Sequence, residues 1–203
     1  MSIEIKLSKK RISFKKAMNF LNKRVEAVKK GGNKELIWIL EHPKTYTAGI
    51  RYDQKDILDK KIKVIKTNRG GKITFHNPGQ KIVYFVINLN YRKRDIRRLI
   101  NAIEVSIIDF LSKLRIKGKT DKKNVGIWVK KKKIAAIGLR ISRWVAFHGC
   151  SINISNELKS YLKIKPCGLD NKNITSVYEE KKVVPKNFEK KLAKIFLNNI
   201  DKI

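Results

Sequence analysis

The run Ile82-Val-Tyr-Phe-Val-Ile-Asn-Leu89 is the strongest strand in the sequence, a stretch of β-branched and aromatic residues that must be buried in a sheet. Leu36-Ile-Trp-Ile-Leu40 is a second apolar run, and it ends at Glu41-His42-Pro43. It reads as a buried strand leading into a loop that carries Thr45 to Gly49. Ile62 to Ile65 is a further strand. Val125 to Lys130 and Ile134 to Ile141, separated by Lys131-Lys132-Lys133, read as a hairpin with a charged turn, and Trp144 to Asn153 adds one more strand.

Helices are needed to cover such a sheet, and the spacing supplies them. Phe14, Ala17, Met18, Leu21, Val25 and Val28 line one face of a helix over Ser13 to Val28, closed by Gly31-Gly32. Leu99, Ile103, Ile107, Phe110 and Leu114 mark a second over Asp95 to Leu114, with Asp95 as its cap. A short helix over Asn156 to Leu162 and a final one over Phe188 to Leu197 complete the set. Because helices and strands do not alternate strictly, the class expected is α+β, a mixed β-sheet packed with helices. The 203 residues suit one domain spanning 1–203, with no internal repeat and no Ser/Gly-rich linker.

The charge is lopsided: 49 Lys+Arg against 17 Asp+Glu give a formal net charge of +32. An acidic partner is therefore expected. Nucleic acid is the first such partner to weigh, but the lysine pairs are scattered over the chain rather than gathered in one strip, so nucleic-acid binding is at most nonspecific. No apolar run approaches the length of a membrane span, and the start of the chain alternates apolar residues with lysine, unlike a signal peptide. A soluble cytoplasmic chain is expected. Its two cysteines, Cys150 and Cys167, form no CxxC pair, and with its three histidines they show no paired ligand spacing. No metal site and no cofactor are expected.

Few residues offer chemistry. Cys167, between Pro166 and Gly168, sits where a loop can present a thiol, whereas Cys150 lies in a setting that resembles strand packing. Lys133 opens Lys133-Ile-Ala-Ala-Ile-Gly-Leu-Arg140, where an amine at a strand start could be partly desolvated and exchange protons; taken alone it reads as one more solvated turn lysine. Gly70-Gly71 could bring backbone amides to an anionic or carbonyl oxygen, or simply make a turn. His76 could act as a base, but beside Asn77-Pro78-Gly79 it reads better as a loop anchor, and the same holds for His42 and His148.

Taken together and in this order, the segments resemble the lipoyl(octanoyl) transferases of lipoate biosynthesis. Glu41 to Gly49 resembles the family's early loop, Arg69-Gly-Gly-Lys-Ile-Thr-Phe-His-Asn-Pro-Gly-Gln80 its glycine-rich signature, and Lys133 to Arg140 its lysine segment. Phe147-His148-Gly149, Pro166-Cys167-Gly168-Leu169 and Thr175-Ser176 complete the match, which runs from about Leu36 to Ser176. The resemblance implies the mixed α/β catalytic domain shared with biotin and lipoate protein ligases. It implies an acyltransferase that moves an octanoyl group from octanoyl-acyl carrier protein, through a cysteine thioester, to the lysine of lipoyl domains, those of 2-oxoacid dehydrogenase E2 subunits and of the glycine cleavage H protein. No ATP is needed and a monomer suffices.

By the same resemblance the nucleophile falls on Cys167 and its partner amine on Lys133. The acyl-binding residues fall on Arg69, Gly70, Gly71, Lys72, Ile73, Thr74, Phe75 and His76, on Ala136, Ile137 and Gly138, and on Gly149, Cys150 and Ser151. One departure stands out. Asn77 occupies a position where the family usually has glycine, and asparagine is among the few residues that accept a positive φ there. The rival within the same fold, an ATP-dependent ligase, would need longer glycine-rich nucleotide signatures than Arg69-Gly70-Gly71.

Overall fold

The computed structural model describes residues 2–121, 124–166 and 173–203. A seven-stranded sheet carries the molecule, in the order β1 (Ile3–Leu7), β2 (Glu35–Leu40), β6 (Gln80–Asn88), β10 (Val145–Asn153), β9 (Lys132–Ser142), β8 (Ile127–Val129) and β7 (Lys119–Thr120). β1 runs parallel to β2 and the other pairs are antiparallel, so the sheet is mixed. A second sheet of three strands sets β3 (Thr45–Ala48) between β4 (Val64–Lys66) and β5 (Ile73–His76).

Both faces of the large sheet are apolar because both are covered. On one face Ile37, Ile39, Val83, Phe85, Ile87, Ala146, Cys150 and Ile152 pack against α2 (Ile96–Lys113) and α4 (Glu189–Ile200). On the other, Leu36, Trp38, Leu40, Ile82, Tyr84, Val86 and Phe147 meet α1 (Phe14–Lys29) through Ala17, Leu21, Val25 and Val28. Alternating side chains of β2 and β6 thus feed two cores, which is why those strands read as unbroken apolar runs. Ser13 caps α1 by accepting from the Lys16 amide, and the Asp95 carboxylate accepts from the Arg97 and Arg98 amides at the start of α2. A short helix α3 (Val177–Lys181) precedes α4.

The structure departs from the sequence expectations in several places, the strands β1 and β7 and the helix α3 among them. Thr45–Ala48, expected as a loop, is a strand because it is paired on both sides, to β4 and to β5. Ile73–His76, hidden between glycines, is β5, and the turn that follows places its positive φ of 85° on Gly79, not on Asn77. Asn77 instead reaches across to donate to the Glu157 carbonyl. The hairpin turn falls at Lys130, φ 54°, so Lys132 and Lys133 already belong to β9. The short helix expected over Asn156 to Leu162 is a 3-10 turn over Lys159–Lys163. Among the described residues no helix is long and apolar enough to cross a membrane.

Candidate active site

A narrow cavity of about 60 Å³ opens between the large sheet and the small one, beneath the first turn of α1. Arg69, Gly70, Gly71, Lys72, Thr74 and His76 line it from the small-sheet side. Ala136, Ile137, Gly138, Gly149, Cys150 and Ser151 line it from β9 and β10, and Phe14, Ile82, Tyr84 and His148 close it. The fourteen residues expected to bind the acyl group are thus brought together apart from two. Ile73 and Phe75 point the other way along β5, into a small cluster with Tyr161 and Ile164. Alternation along a strand makes that split unavoidable.

Two backbone irregularities re-aim side chains into this space. Trp128 pairs with Lys133 while Ile127 pairs with Ala135, so Ile134 is an extra residue on β9. Ile134 and Ala135 both enter the core beneath α2 and α4, and Lys133 is turned to the opposite face. There it is only 3% exposed and lines a smaller pocket with Thr74, Ala136, Ser151, Asn153, Tyr161, Pro166 and Ile174. Thr74, Ala136 and Ser151 are shared with the main cavity, so the two spaces adjoin. A bulge re-aiming one side chain at a site is a recurring device.

The Lys133 ammonium lies 5.3 Å from the centroid of the Trp128 ring, which attracts it as a cation over an aromatic face. Gly126, φ 135°, makes room for it: a Cβ there would sit 2.5 Å from Lys133 Cε. The Lys133 backbone is pinned as well, its amide donating to the Asn173 carbonyl and its carbonyl accepting from the Thr175 amide. The lysine that reads as a solvated turn residue in isolation is therefore buried and held. Cys167 lies outside the described residues; its chain neighbour Pro166 lines the Lys133 pocket.

The second irregularity is His148, whose φ of 65° sits in the left-handed region. Its neighbours in the alternation, Ala146 and Cys150, face the α2 and α4 core, yet its own ring lines the cavity, Nε2 donating to Asn68 Oδ1 at 2.6 Å. Cys150 itself is buried, and burial pushes its thiol well above the ordinary range. It reaches the cavity wall as part of β10 and is a poor nucleophile.

The glycines of the expected signature serve a close approach. Gly70 donates its amide to the Leu139 carbonyl at 3.1 Å, and a Cβ on Gly70 would stand 2.8 Å from that oxygen. The Gly70 amide is thus spent on fixing the Arg69 to Lys72 loop flat against β9, not offered to a substrate oxygen. Arg69 reinforces the same loop, donating from Nη2 to the Thr47 carbonyl and hydroxyl and from Nη1 to the Gly70 carbonyl. Lys72 pairs with the buried Asp56 carboxylate at 3.5 Å.

Behind the cavity the histidines are neutral and directional. His42 Nδ1 lies 2.6 Å from the Ile12 carbonyl, which can only accept, so Nδ1 carries the proton and Nε2 accepts from the Tyr84 hydroxyl at 2.8 Å. Gln80 spends its amide nitrogen on Asn153 Oδ1 and the Tyr161 hydroxyl, so its Oε1 accepts from His76 Nδ1 at 2.7 Å. Asn153 continues the chain to the Thr175 carbonyl, next to the segment pinned on Lys133. Burial is the largest cause holding His76 down to about 3 and His148 to about 4. Neither is fit to act as a base near neutral pH, and His76 is a strand-borne anchor rather than a loop one.

These histidines carry a pH dependence of stability. Unfolded, each titrates near the usual value of about 6.5, so between that pH and the folded values the unfolded chain binds more protons. Their contribution is complete above pH 6.5 and is lost as pH falls toward 4. Thermal melts at pH 7.5 and pH 5 are expected to show a lower midpoint at pH 5; equal midpoints would contradict the buried neutral assignment.

The chain matches the family model described as "Lipoyl protein ligase A/B catalytic domain" over residues 14–197. It is 39% identical over 203 residues to the octanoyltransferase of Anaplasma phagocytophilum, covering 97% of this chain and 98% of that one. It is 40% identical over 188 residues to the octanoyltransferase of Bartonella tribocorum, covering 86% and 77% respectively. Among solved structures it superposes with a TM-score of 0.75 on a lipoate-protein ligase A bound with ATP, at 14% identity over 98% of this chain and 86% of that one. A lipoate protein ligase of Thermoplasma acidophilum gives a TM-score of 0.67 at 13% identity, covering 99% and 84%. Those two likenesses establish the shared fold.

Proposed function

The chain belongs to the lipoyl protein ligase A/B catalytic domain family and is an acyltransferase akin to its octanoyltransferases; on that premise we propose that it takes the octanoyl group from octanoyl-acyl carrier protein and delivers it, through a thioester on Cys167, to the lysine of a lipoyl domain. The observation that carries this reading is the buried Lys133, held where the acyl cavity meets the segment leading to Cys167.

The thiolate of Cys167 attacks the carbonyl carbon of the donor thioester. As the bond to the donor sulfur breaks, the departing thiolate takes a proton from the Lys133 ammonium. The octanoyl chain lies along the cavity between Thr74, Ala136 and Ser151 at one end and Phe14 and Tyr84 at the other, with Ile82 beneath it. In the second half the acceptor amine attacks the Cys167 thioester, gives a proton to the neutral Lys133 amine, and expels the Cys167 thiolate. The amide product is more stable than either thioester, so no nucleotide is consumed. The excess of positive charge favours encounter with acidic carriers and acceptors, an effect that weakens with salt.

Intact-mass spectrometry tests this directly. Mixing the protein with octanoyl-acyl carrier protein, without ATP, is expected to give an octanoyl adduct that peptide mapping places on Cys167 and that passes to a lipoyl domain added afterwards. Transfer only when ATP and free octanoate are present would sink the reading and mark a ligase.

A further inference from the structure

The cavity has a direction, and its far end is closed by one ring. Lys133 and Pro166 mark the reacting end, with Thr74, Ala136 and Ser151 common to both spaces. Two residues along β5 from Thr74 comes His76, and two along β10 from Ser151 comes Gly149, a step of about 7 Å at ~3.3 Å per residue. That step covers most of an extended eight-carbon chain, the rest lying toward Lys133. At that depth stand Tyr84, His148 and Phe14.

Beyond Phe14 lies a different space, an open groove of about 630 Å³ between α1 and the small sheet. Met18, Asn19 and Asn22 line it from the helix, and Ile50, Ile65 and Thr67 from the sheet side. Among the described residues Phe14 is the one common to the lining of the cavity and the groove. Its ring is 6% exposed and fixed from behind, edge-on to His42 at 5.5 Å and parallel to His76 at 6.5 Å between centroids. His42 is in turn tied to Ile12 and Tyr84, so the surface behind the ring is held in place.

We propose that Phe14 is the specificity-determining residue that sets the upper length of the acyl chain, acting as a wall between the acyl cavity and the open groove outside it. The inference rests on the acyl-transfer reading and goes beyond it to the substrates the site refuses. A chain of eight carbons ends at the ring. A longer one meets it, although an apolar surface built of Met18, Ile50 and Ile65 waits on the other side.

Single-turnover acylation by hexanoyl-, octanoyl- and dodecanoyl-carrier protein tests the wall, with the protein as it is and as Phe14→Ala, Phe14→Leu and Phe14→Trp. The ratio of kcat/KM for dodecanoyl over octanoyl donors is expected to rise at least tenfold in Phe14→Ala and by less in Phe14→Leu. Phe14→Trp is expected to lower octanoyl transfer relative to hexanoyl. General loosening of the fold would depress all chain lengths together and leave the ratios unmoved. Unchanged ratios in folded Leu and Trp variants overturn the proposal even where Phe14→Ala does not fold. Absence of acylation by any chain length in the unaltered protein would instead defeat the acyl-transfer reading itself.

Discussion

Replacing Lys133 by methionine is expected to slow both acylation from octanoyl-acyl carrier protein and release to the lipoyl domain, each by about 10²–10⁴, the usual worth of a positioned proton donor and acceptor. Methionine reaches as far as the lysine Cε and suits the surface of Trp128 and Ala136 around it. Because burying an ammonium is costly, the loss of charge should leave the melting midpoint unchanged or higher. The expected pattern is therefore a large kinetic loss without a stability loss. Lys133→Arg is expected to fail as well, since a guanidinium keeps its proton at any working pH and the space left by Gly126 fits a slender amine. Rapid-quench measurement of the two half-reactions separates the roles. If acylation fell while release ran at its original rate, Lys133 would serve the donor step alone, and the proton shuttle would be wrong.

That lysine also marks the boundary of what the sequence makes legible. Leu36 to Leu40 and Ile82 to Leu89 are readable as buried strands because they supply side chains to two cores, and continuous apolarity is how such a strand must be written. Helices α1 and α2 are readable to within a residue or so, each from its spacing and a capping side chain. Local pattern does not announce β3 and β5, whose strand character comes from partners distant in the chain. The bulge at Ile134 is equally silent, since it is set by how β8 and β9 pair, and without it Lys133 looks like part of a solvated turn. His148 carries no sequence signal of its left-handed backbone, and Phe14 reads only as a core position on α1. What points to Lys133 and the cavity lining is the order of motifs along the chain, a pattern that compresses three-dimensional constraints no single segment expresses. The contiguous stretch Arg69 to His76 resembles one surface, but a strand shows two, and Ile73 and Phe75 lie on the face turned to Tyr161 and Ile164.

Gly149→Ala is expected to cost more stability than any other single methyl added to the cavity walls, and far more than the same change at its cross-strand partner Gly138. The two glycines face each other in the β9 and β10 ladder, and both belong to the expected acyl-binding set. A Cβ on Gly149 would lie 1.8 Å from the Val83 carbonyl oxygen and 2.9 Å from its carbon, both backbone atoms of the central strand β6. Relief would require β6 and β10 to part where helices cover both faces, so a loss above about 4 kcal/mol is expected, in the range reserved for a broken core. For a chain of this size that corresponds to a fall of at least ~8 °C in the midpoint, at 2–4 °C per kcal/mol. A Cβ on Gly138 would stand 3.0 Å from the Gly70 carbonyl oxygen and 3.6 Å from Arg69 Cδ, facing the cavity, so the loop held against β9 would have to give only slightly. Gly138→Ala is therefore expected to lose far less in its midpoint than Gly149→Ala, and to acylate more slowly by crowding the acyl chain. Thermal denaturation with the acylation assay reads both. Were Gly149→Ala to melt within a degree or two of the unaltered protein, the close passage of β10 over Val83 would not be what demands glycine there, and a direct contact with the acyl group would become the better account of that position.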